Sequence, residues 1–127
     1  MRHASLSLVV ACVLLGCATS RPAAPLLEEQ LVGTWQVDLR PTPDAAPYYQ
    51  QLVITSIDGA SFTGTFYGAP VFQGRLNNDW GKWRIAFVTE DGSGPYYHSA
   101  VLNGDTLEGL SNSSGRDFLS YWSAVKQ

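Results

Sequence analysis

The chain has 127 residues, with 8 basic and 11 acidic side chains and a formal net charge of −3. This balance disfavours a nucleic-acid-binding surface and a polybasic membrane patch. The length fits one domain, and four tryptophans, six tyrosines and five phenylalanines supply enough aromatic side chains for a core without disulfides.

The N-terminal segment has the layout of a secretory signal. Arg2 and His3 form a short basic start, and an apolar run over residues 6–15 follows it, interrupted only by Ser7. A basic start, an apolar core of about 7–15 residues and a small residue before the cut are typical of a signal peptide. The run is shorter than the roughly 20 apolar residues that a membrane-spanning helix needs.

The segment ends in Leu14-Leu15-Gly16-Cys17, which resembles the lipobox of bacterial lipoprotein precursors. In that family a signal peptidase cuts before the cysteine, whose thiol carries a diacylglycerol. The resemblance implies that residues 1–16 are a signal peptide, that Cys17 is lipidated and that the protein is anchored at the cell envelope. Ala18 favours the outer membrane, facing the periplasm, if the source is Gram-negative. The alternative is an ordinary secretory signal that is cut after Ala18.

The mature chain begins with a predicted tether. Cys12 lies in the segment to be removed, so Cys17 is the single mature cysteine and no intramolecular disulfide is possible. Residues 17–30 hold the lipidated cysteine and a stretch of small, proline and acidic residues, for which we expect an r.m.s. span of about 20 Å. Residues 26–30 can form one helical turn.

From Leu31 the sequence takes the two-residue period of β-strands. Trp35, Val37 and Leu39 share one apolar face, and polar residues alternate with them. The predicted strands cover residues 31–39, 48–57, 61–67, 71–76, 82–90, 96–102, 106–110 and 117–125. No predicted helix is long enough for a crossover, so the strands are expected to pair in chain order.

Turn residues separate these strands. Asp58-Gly59 and Asn103-Gly104-Asp105 are hairpin signals, and residues 91–95 are expected to form a loop between two strands. An open eight-stranded meander has two exposed edges, which closure into a barrel removes. We therefore predict an all-β fold, an up-and-down antiparallel barrel of about eight strands, whose interior is wide enough for side chains or one small ligand.

Several strings resemble the calycin-type barrels, the group that holds lipocalins and avidins. They are Leu31-Val32-Gly33-Thr34-Trp35, Phe62-Thr63-Gly64-Thr65-Phe66, Trp83-Arg84-Ile85-Ala86-Phe87 and Trp122-Ser123-Ala124-Val125-Lys126. The first resembles the opening Gly-x-Trp strand of that group, and the later ones are similar to avidin and to small bacterial lipocalin-like proteins. The resemblance implies a barrel domain over residues 31–127.

Biotin binding is not expected, because the avidin pattern is broken at three ligand positions. Val37 stands where avidins have a polar residue, Phe66 where they have a tyrosine, and Gly68 where they have a serine. The small bacterial lipocalin-like proteins are the better match.

Six residues are candidates for lining a ligand site: Trp35, Tyr67, Arg75, Trp83, His98 and Trp122. Core packing is the simpler role for the three tryptophans. Arg75 is expected either in solvent or inside the barrel, where its charge would need a partner such as Glu108. Tyr48-Tyr49 and Tyr96-Tyr97 place one ring on each face of the sheet, so one ring of each pair can line a cavity.

The sequence gives little support for catalysis. His98 and Ser99 are neighbours on one strand and point to opposite faces, so they do not form a nucleophile and base pair. We expect His98 at the surface or at the barrel mouth, and we expect no catalytic residue, no metal site and no cofactor.

Two functions remain open. The first is a membrane-anchored envelope lipoprotein whose lipocalin-like barrel binds a small apolar or amphipathic ligand. The second is a barrel with a filled core that acts through its surface as an envelope interaction or accessory protein. The volume of the barrel interior discriminates between them, because a cavity of several hundred Å³ supports binding.

Overall fold

The structure is a computed structural model that describes Gly16 and residues 27–127. Cys17, the predicted signal segment apart from Gly16, and the first part of the predicted tether lie outside the described residues. The predicted start of the mature chain at residue 17 therefore stays a prediction. The predicted limit between tether and barrel at residue 31 also stays a prediction.

In the described part of the chain one short helix precedes nine strands. They are α1 (Leu27–Leu31), β1 (Gly33–Asp38), β2 (Tyr49–Asp58), β3 (Ser61–Phe66), β4 (Ala69–Pro70), β5 (Phe72–Asn77), β6 (Arg84–Asp91), β7 (Gly94–Asn103), β8 (Thr106–Ser113) and β9 (Phe118–Lys126). No helix among these residues is long and apolar enough to cross a membrane.

The strands form a closed antiparallel barrel. Eight of them pair in the cyclic order β1-β2-β3-β5-β6-β7-β8-β9, and β9 returns to pair with β1. The two-residue β4 is an additional strand at the edge of β3. The predicted eight-stranded up-and-down barrel is confirmed.

Local differences from the prediction occur where turns are tighter than expected. Pro95 was expected in a loop, but it lies in β7 opposite Glu90, because Gly92 and Ser93 alone complete the turn between β6 and β7. Gly94 makes this possible with a φ of 109°, a conformation that other residues rarely adopt. Leu31 ends α1 instead of starting a strand.

Strand alternation explains the core. Trp35, Val37, Ile85 and Phe87 point inward and are buried, as the period of two requires. The rings of Phe87 and Phe62 pack edge to face with centroids 5.8 Å apart. These residues form one continuous apolar cluster inside the barrel.

One end of the barrel is covered by α1, and we call it the closed end. Leu31 is fully buried there, and its carbonyl oxygen accepts a hydrogen bond of 2.9 Å from Trp35 Nε1. Lys126 Nζ donates to the carbonyl oxygen of Glu29 at 2.6 Å. The opposite end, where β3 ends and β7 begins, is called the mouth.

Candidate ligand-binding site

A cavity of about 500 Å³ opens at the mouth of the barrel. We call it the mouth pocket. Its lining includes Tyr48, Phe66, Tyr67, Tyr96, His98 and Arg116. These residues come from β3, from β7, from the segment just before β2, from the turn after β3 and from the loop between β8 and β9, which the closed barrel brings to one end. Ligand pockets of proteins typically measure about 300–1,000 Å³, so the volume suits one small molecule.

The floor of the mouth pocket is a hydrogen-bonded histidine. His98 is 5% exposed, and its two ring nitrogens are bonded to side chains on the flanking strands. Nε2 lies 2.9 Å from Thr89 Oγ1, and Nδ1 lies 2.6 Å from Ser111 Oγ. Trp122 Nε1 donates to the same Ser111 oxygen at 2.8 Å. The polar groups of the floor therefore have partners within the protein.

Burial makes His98 a neutral group. Desolvation disfavours the imidazolium and lowers the pKa of His98 to about 4. The ring also stacks on Phe87 at a centroid distance of 4.6 Å and lies 4.5 Å from the Phe66 ring. At neutral pH the floor is therefore an uncharged aromatic surface.

Two tyrosines form one wall. Tyr48 and Tyr67 pack edge to face, with centroids 6.1 Å apart, and their hydroxyls hydrogen-bond each other. This bond raises the pKa of the Tyr67 phenol above its usual value. Tyr67 has a φ of 55° in the two-residue turn between β3 and β4, and Gly68 follows with 79°. This left-handed conformation is uncommon for a residue other than glycine.

A series of hydrogen bonds between polar side chains runs along the rim of the mouth pocket. Tyr96 Oη donates to Asp91 Oδ2 at 2.6 Å, and Arg116 Nη1 donates to Tyr96 Oη at 3.3 Å. The bond from Tyr96 lowers the pKa of Asp91 below its usual value, so this carboxylate is charged at neutral pH. These hydrogen bonds fix the position of the Tyr96 hydroxyl and therefore the tilt of its ring.

The six residues that the sequence predicts to line a ligand site lie in different parts of the barrel. Tyr67 and His98 line the mouth pocket, and Trp122 lies behind its floor, joined through Ser111. Trp35 is buried beneath α1 at the closed end.

Trp83 and Arg75 also lie away from the mouth. Trp83 packs beside the core just before β6. Arg75 is exposed on the outside of β5, and its Nη1 donates to the carbonyl oxygen of Gly74 at 2.9 Å. The interior position considered for Arg75 is therefore excluded, and Glu108 instead accepts a hydrogen bond from Asn103.

Most residues of the site are absent from the six candidates, among them Thr89, Ser111, Tyr96 and Arg116. The alternation of inward and outward side chains along the strands does indicate that Thr89, Ser111 and Tyr96 point inward. Of the two tyrosine pairs, Tyr48 and Tyr96 line the pocket and Tyr97 is exposed. Nothing in the sequence pattern indicates Arg116, because its place depends on the path of the loop between β8 and β9.

The contacts of His98 differ from those of the histidine in a Ser-His-Asp triad. Ser99 is exposed on the outside of β7, opposite in direction to His98. Ser111 does contact His98, but Thr89 and not a carboxylate bonds the other ring nitrogen, and a pKa of about 4 makes this histidine a weak base. Among the described residues no three His, Cys, Asp or Glu side chains converge as metal ligands.

A second depression lies on the outer surface. It has a volume of about 700 Å³, and its lining includes Arg75, Arg84, Glu108, Leu110 and Tyr121. Exposed apolar side chains lie in and beside this depression on β7, β8 and β9, and we call them the outer patch: Tyr97, Leu110, Leu119 and Tyr121. Leu110 and Tyr121 lie on the same cross-strand row as Ser99, which pairs with Leu110.

Fold and site together define a class, the closed eight-stranded barrel with a pocket at one mouth, which is consistent with a calycin-like fold. No protein-family model, no curated protein and no solved structure matches the chain.

Proposed function

We propose that this protein is a membrane-anchored envelope lipoprotein whose lipocalin-like barrel binds a small apolar or amphipathic molecule. The observation that carries the proposal is the mouth pocket, a cavity of about 500 Å³ walled by aromatic rings. A barrel that served only as a rigid surface would gain nothing from a cavity at its mouth, since unfilled space forfeits packing contacts.

The chemistry of the lining supports an apolar ligand with a polar end. Phe66, Tyr67 and Tyr96 offer ring surface, whereas the charged groups of Asp91 and Arg116 stand at the rim. Sites for small molecules typically combine such apolar walls with a few placed polar groups. The apolar part of the ligand would enter the barrel and its polar part would face water.

The proposed lipid anchor fits the position of α1. The lipobox-like string ends at Cys17, ten residues before α1 begins at Leu27, and α1 covers the closed end. Because the chain enters the barrel from that end, a lipid on Cys17 would hold the closed end toward the membrane and leave the mouth facing the aqueous compartment. We place the protein at the outer membrane, facing the periplasm.

Binding, and not catalysis, is the proposed activity. The partners are the membrane, through the N-terminal lipid, and a small ligand; the acidic net charge disfavours nucleic acid. No metal or cofactor is part of the proposal.

Native mass spectrometry of the purified protein tests the ligand. The variant Cys17→Ser is used so that lipid and detergent do not compete for the pocket. We expect a copurified small molecule, or quenching of tryptophan fluorescence by a panel of fatty acids, retinoids and aromatic compounds. If no molecule copurifies and no compound of the panel changes the fluorescence, the ligand function is wrong.

Cell fractionation tests the anchor separately. We expect Cys17→Ser to abolish the cut before residue 17, and we expect the same variant made without residues 1–16 to move from the membrane to the soluble fraction. Cys12→Ser is the matched control and should change neither result. Unaltered processing and membrane attachment of Cys17→Ser would refute the lipoprotein assignment.

The outer patch favours a second candidate function, an interaction protein that acts through its surface. Leu119 is 70% exposed and Tyr121 is 58% exposed, which is unusual for neighbouring large apolar side chains on a monomer. Complementation of a deletion strain separates the two functions. The ligand function predicts that Tyr121→Lys reverses the growth defect of the deletion strain and Tyr96→Leu does not, and the surface function predicts the reverse.

A further inference from the structure

The mouth pocket contains two aromatic rings that stand in parallel on one strand. Tyr96 and His98 are two residues apart on β7 and both point inward. Their ring planes differ by only 6°, and their centroids are 6.5 Å apart. Residues two apart on a strand are separated by about 6.6 Å, so the strand itself sets this spacing.

The hydrogen bonds of His98 show which way its ring faces. Its two nitrogens bond to Thr89 on β6 and to Ser111 on β8, the strands on either side of β7. The imidazole plane therefore runs across the strands, and one ring face is directed along β7 toward the mouth. Tyr96 stands on that side, so the two rings face each other.

The spacing suits one inserted ring. Carbon atoms in contact are about 3.5 Å apart, so a ring held between two others needs about 7 Å. The observed 6.5 Å between centroids is about 0.5 Å less than this value, so the half-buried Tyr96 ring at the mouth has to shift outward by at least that amount when a ring enters. Phe87 and Phe66 contact His98 at 4.6 and 4.5 Å, distances at which no ring can be inserted.

Hydrogen bonds orient both walls of this gap and limit how far they can move. Thr89 and Ser111 fix the imidazole, and the contact of Ser111 with Trp122 ties the floor to the core. On the outer side, Asp91 and Arg116 hold the hydroxyl of Tyr96. A gap between two preorganised rings binds a flat group at a low cost in side-chain entropy.

We propose that the ligand of the mouth pocket carries a flat aromatic ring, which inserts between the rings of Tyr96 and His98. This inference rests on the proposed ligand function and specifies its chemistry. A saturated ring of the same size is too thick for the gap, so the site selects aromatic over alicyclic or branched apolar molecules.

Calorimetric titration with a matched pair of probes tests the inference. 2-Naphthol is flat, and decahydro-2-naphthol has the same skeleton and hydroxyl but is puckered. We expect 2-naphthol to bind at least about tenfold more tightly, a difference of about 1.4 kcal/mol. Its proton resonances should move upfield in the complex, because the protons would lie over the faces of the Tyr96 and His98 rings, where the ring currents shield them.

Variants of β7 complete the test. Tyr96→Leu should lose about tenfold in affinity for 2-naphthol, and Tyr96→Phe should keep most of it because it keeps the ring. Tyr97→Leu, on the exposed side of the same strand, should bind like the wild type. Circular dichroism and thermal unfolding confirm that each variant is folded.

The outcomes separate the two proposals. Equal affinity for the two probes, or full affinity in Tyr96→Leu, overturns the aromatic gap and leaves a general apolar pocket. If neither probe binds and the fatty-acid, retinoid and aromatic panel also fails, the ligand function is wrong together with the inference.

Discussion

The closed half of the barrel and its mouth half are filled by different kinds of side chain. Near α1 the interior is apolar and dense, with Leu31, Trp35 and Leu107 fully or almost fully buried. At the mouth the inward positions carry Thr89, His98, Ser111 and Ser113, and a cavity remains above them. The comparison shows that the closed half holds most of the dense apolar packing, and it supports the proposal that the mouth half is the part that binds a ligand.

The two halves should differ most in the unfolding free energy that is lost when an aromatic ring is removed. Trp35→Ala removes a 1% exposed ring and its hydrogen bond to Leu31, and should cost about 3–5 kcal/mol of unfolding free energy. Tyr96→Ala at the mouth should cost far less, because its ring borders a cavity. Urea unfolding of both variants measures the difference. Equal losses would show that the mouth is as much a part of the core as the closed end.

Lowering the pH should destabilise the protein through His98, which lies in the mouth half. Since the pKa of His98 is about 4 in the fold and 6.5 when the chain is unfolded, the unfolded state binds the extra proton between these values. Stability should therefore fall as the pH is lowered from about 6.5 to about 4, by up to about 3 kcal/mol. The loss is complete below the folded pKa.

His98→Gln is the matched variant for this titration and should lose the pH dependence in that window. Asp38 and Asp91, whose pKa values are lowered by hydrogen bonds from Arg40 and Tyr96, lose their stabilising effect mainly below about pH 4, so they overlap only the acid end of this window. The same slope between pH 6.5 and 4 in the wild type and in His98→Gln would contradict the buried neutral histidine.

A smaller effect is expected from added volume beside Trp122. A Cβ atom on Gly109 would lie 2.3 Å from Trp122 Cζ2, and the ring cannot move because it is fully buried. Gly109→Ala should therefore destabilise the barrel by about 1–3 kcal/mol in urea unfolding. Gly92→Ala, whose added Cβ has no neighbour within 4 Å, is the control and should change stability little. An unaffected Gly109→Ala would mean that the interior is loosely packed there.

The smallest change is expected at the rim. Arg116 is exposed and donates to Tyr96 Oη, so Arg116→Gln should leave the thermal midpoint unchanged. It should weaken 2-naphthol binding by less than Tyr96→Leu does, because the ring stays and only its support is lost. Arg84→Gln on the outer surface should have no effect on binding. A large loss of stability in Arg116→Gln would assign the rim a structural role.

The sequence predicts the barrel better than it predicts the site. The alternation around Trp35 and Val37 places both residues inside, and Asn103-Gly104-Asp105 does join β7 and β8. These features are local, since period and turn chemistry depend on neighbouring residues. Closure follows from the number of strands and the cost of open edges.

The site depends on residues that are distant in the chain. His98 is buried because Thr89 and Ser111, 9 and 13 residues away, satisfy its nitrogens, and no local pattern predicts that combination. Its burial differs from the surface position that the sequence allowed. The place of Arg116 beside Tyr96 likewise arises from loop geometry across 20 residues.

The central claim is that the mouth pocket is where this barrel binds its ligand. Heteronuclear NMR of isotopically labelled Cys17→Ser protein, titrated with 2-naphthol, tests it most directly. We predict that chemical-shift changes concentrate at Tyr67, Tyr96 and His98 and are absent from Leu31 and Trp35 at the closed end. Changes centred on Leu110 and Tyr121 of the outer patch, with the mouth unperturbed, would contradict the account.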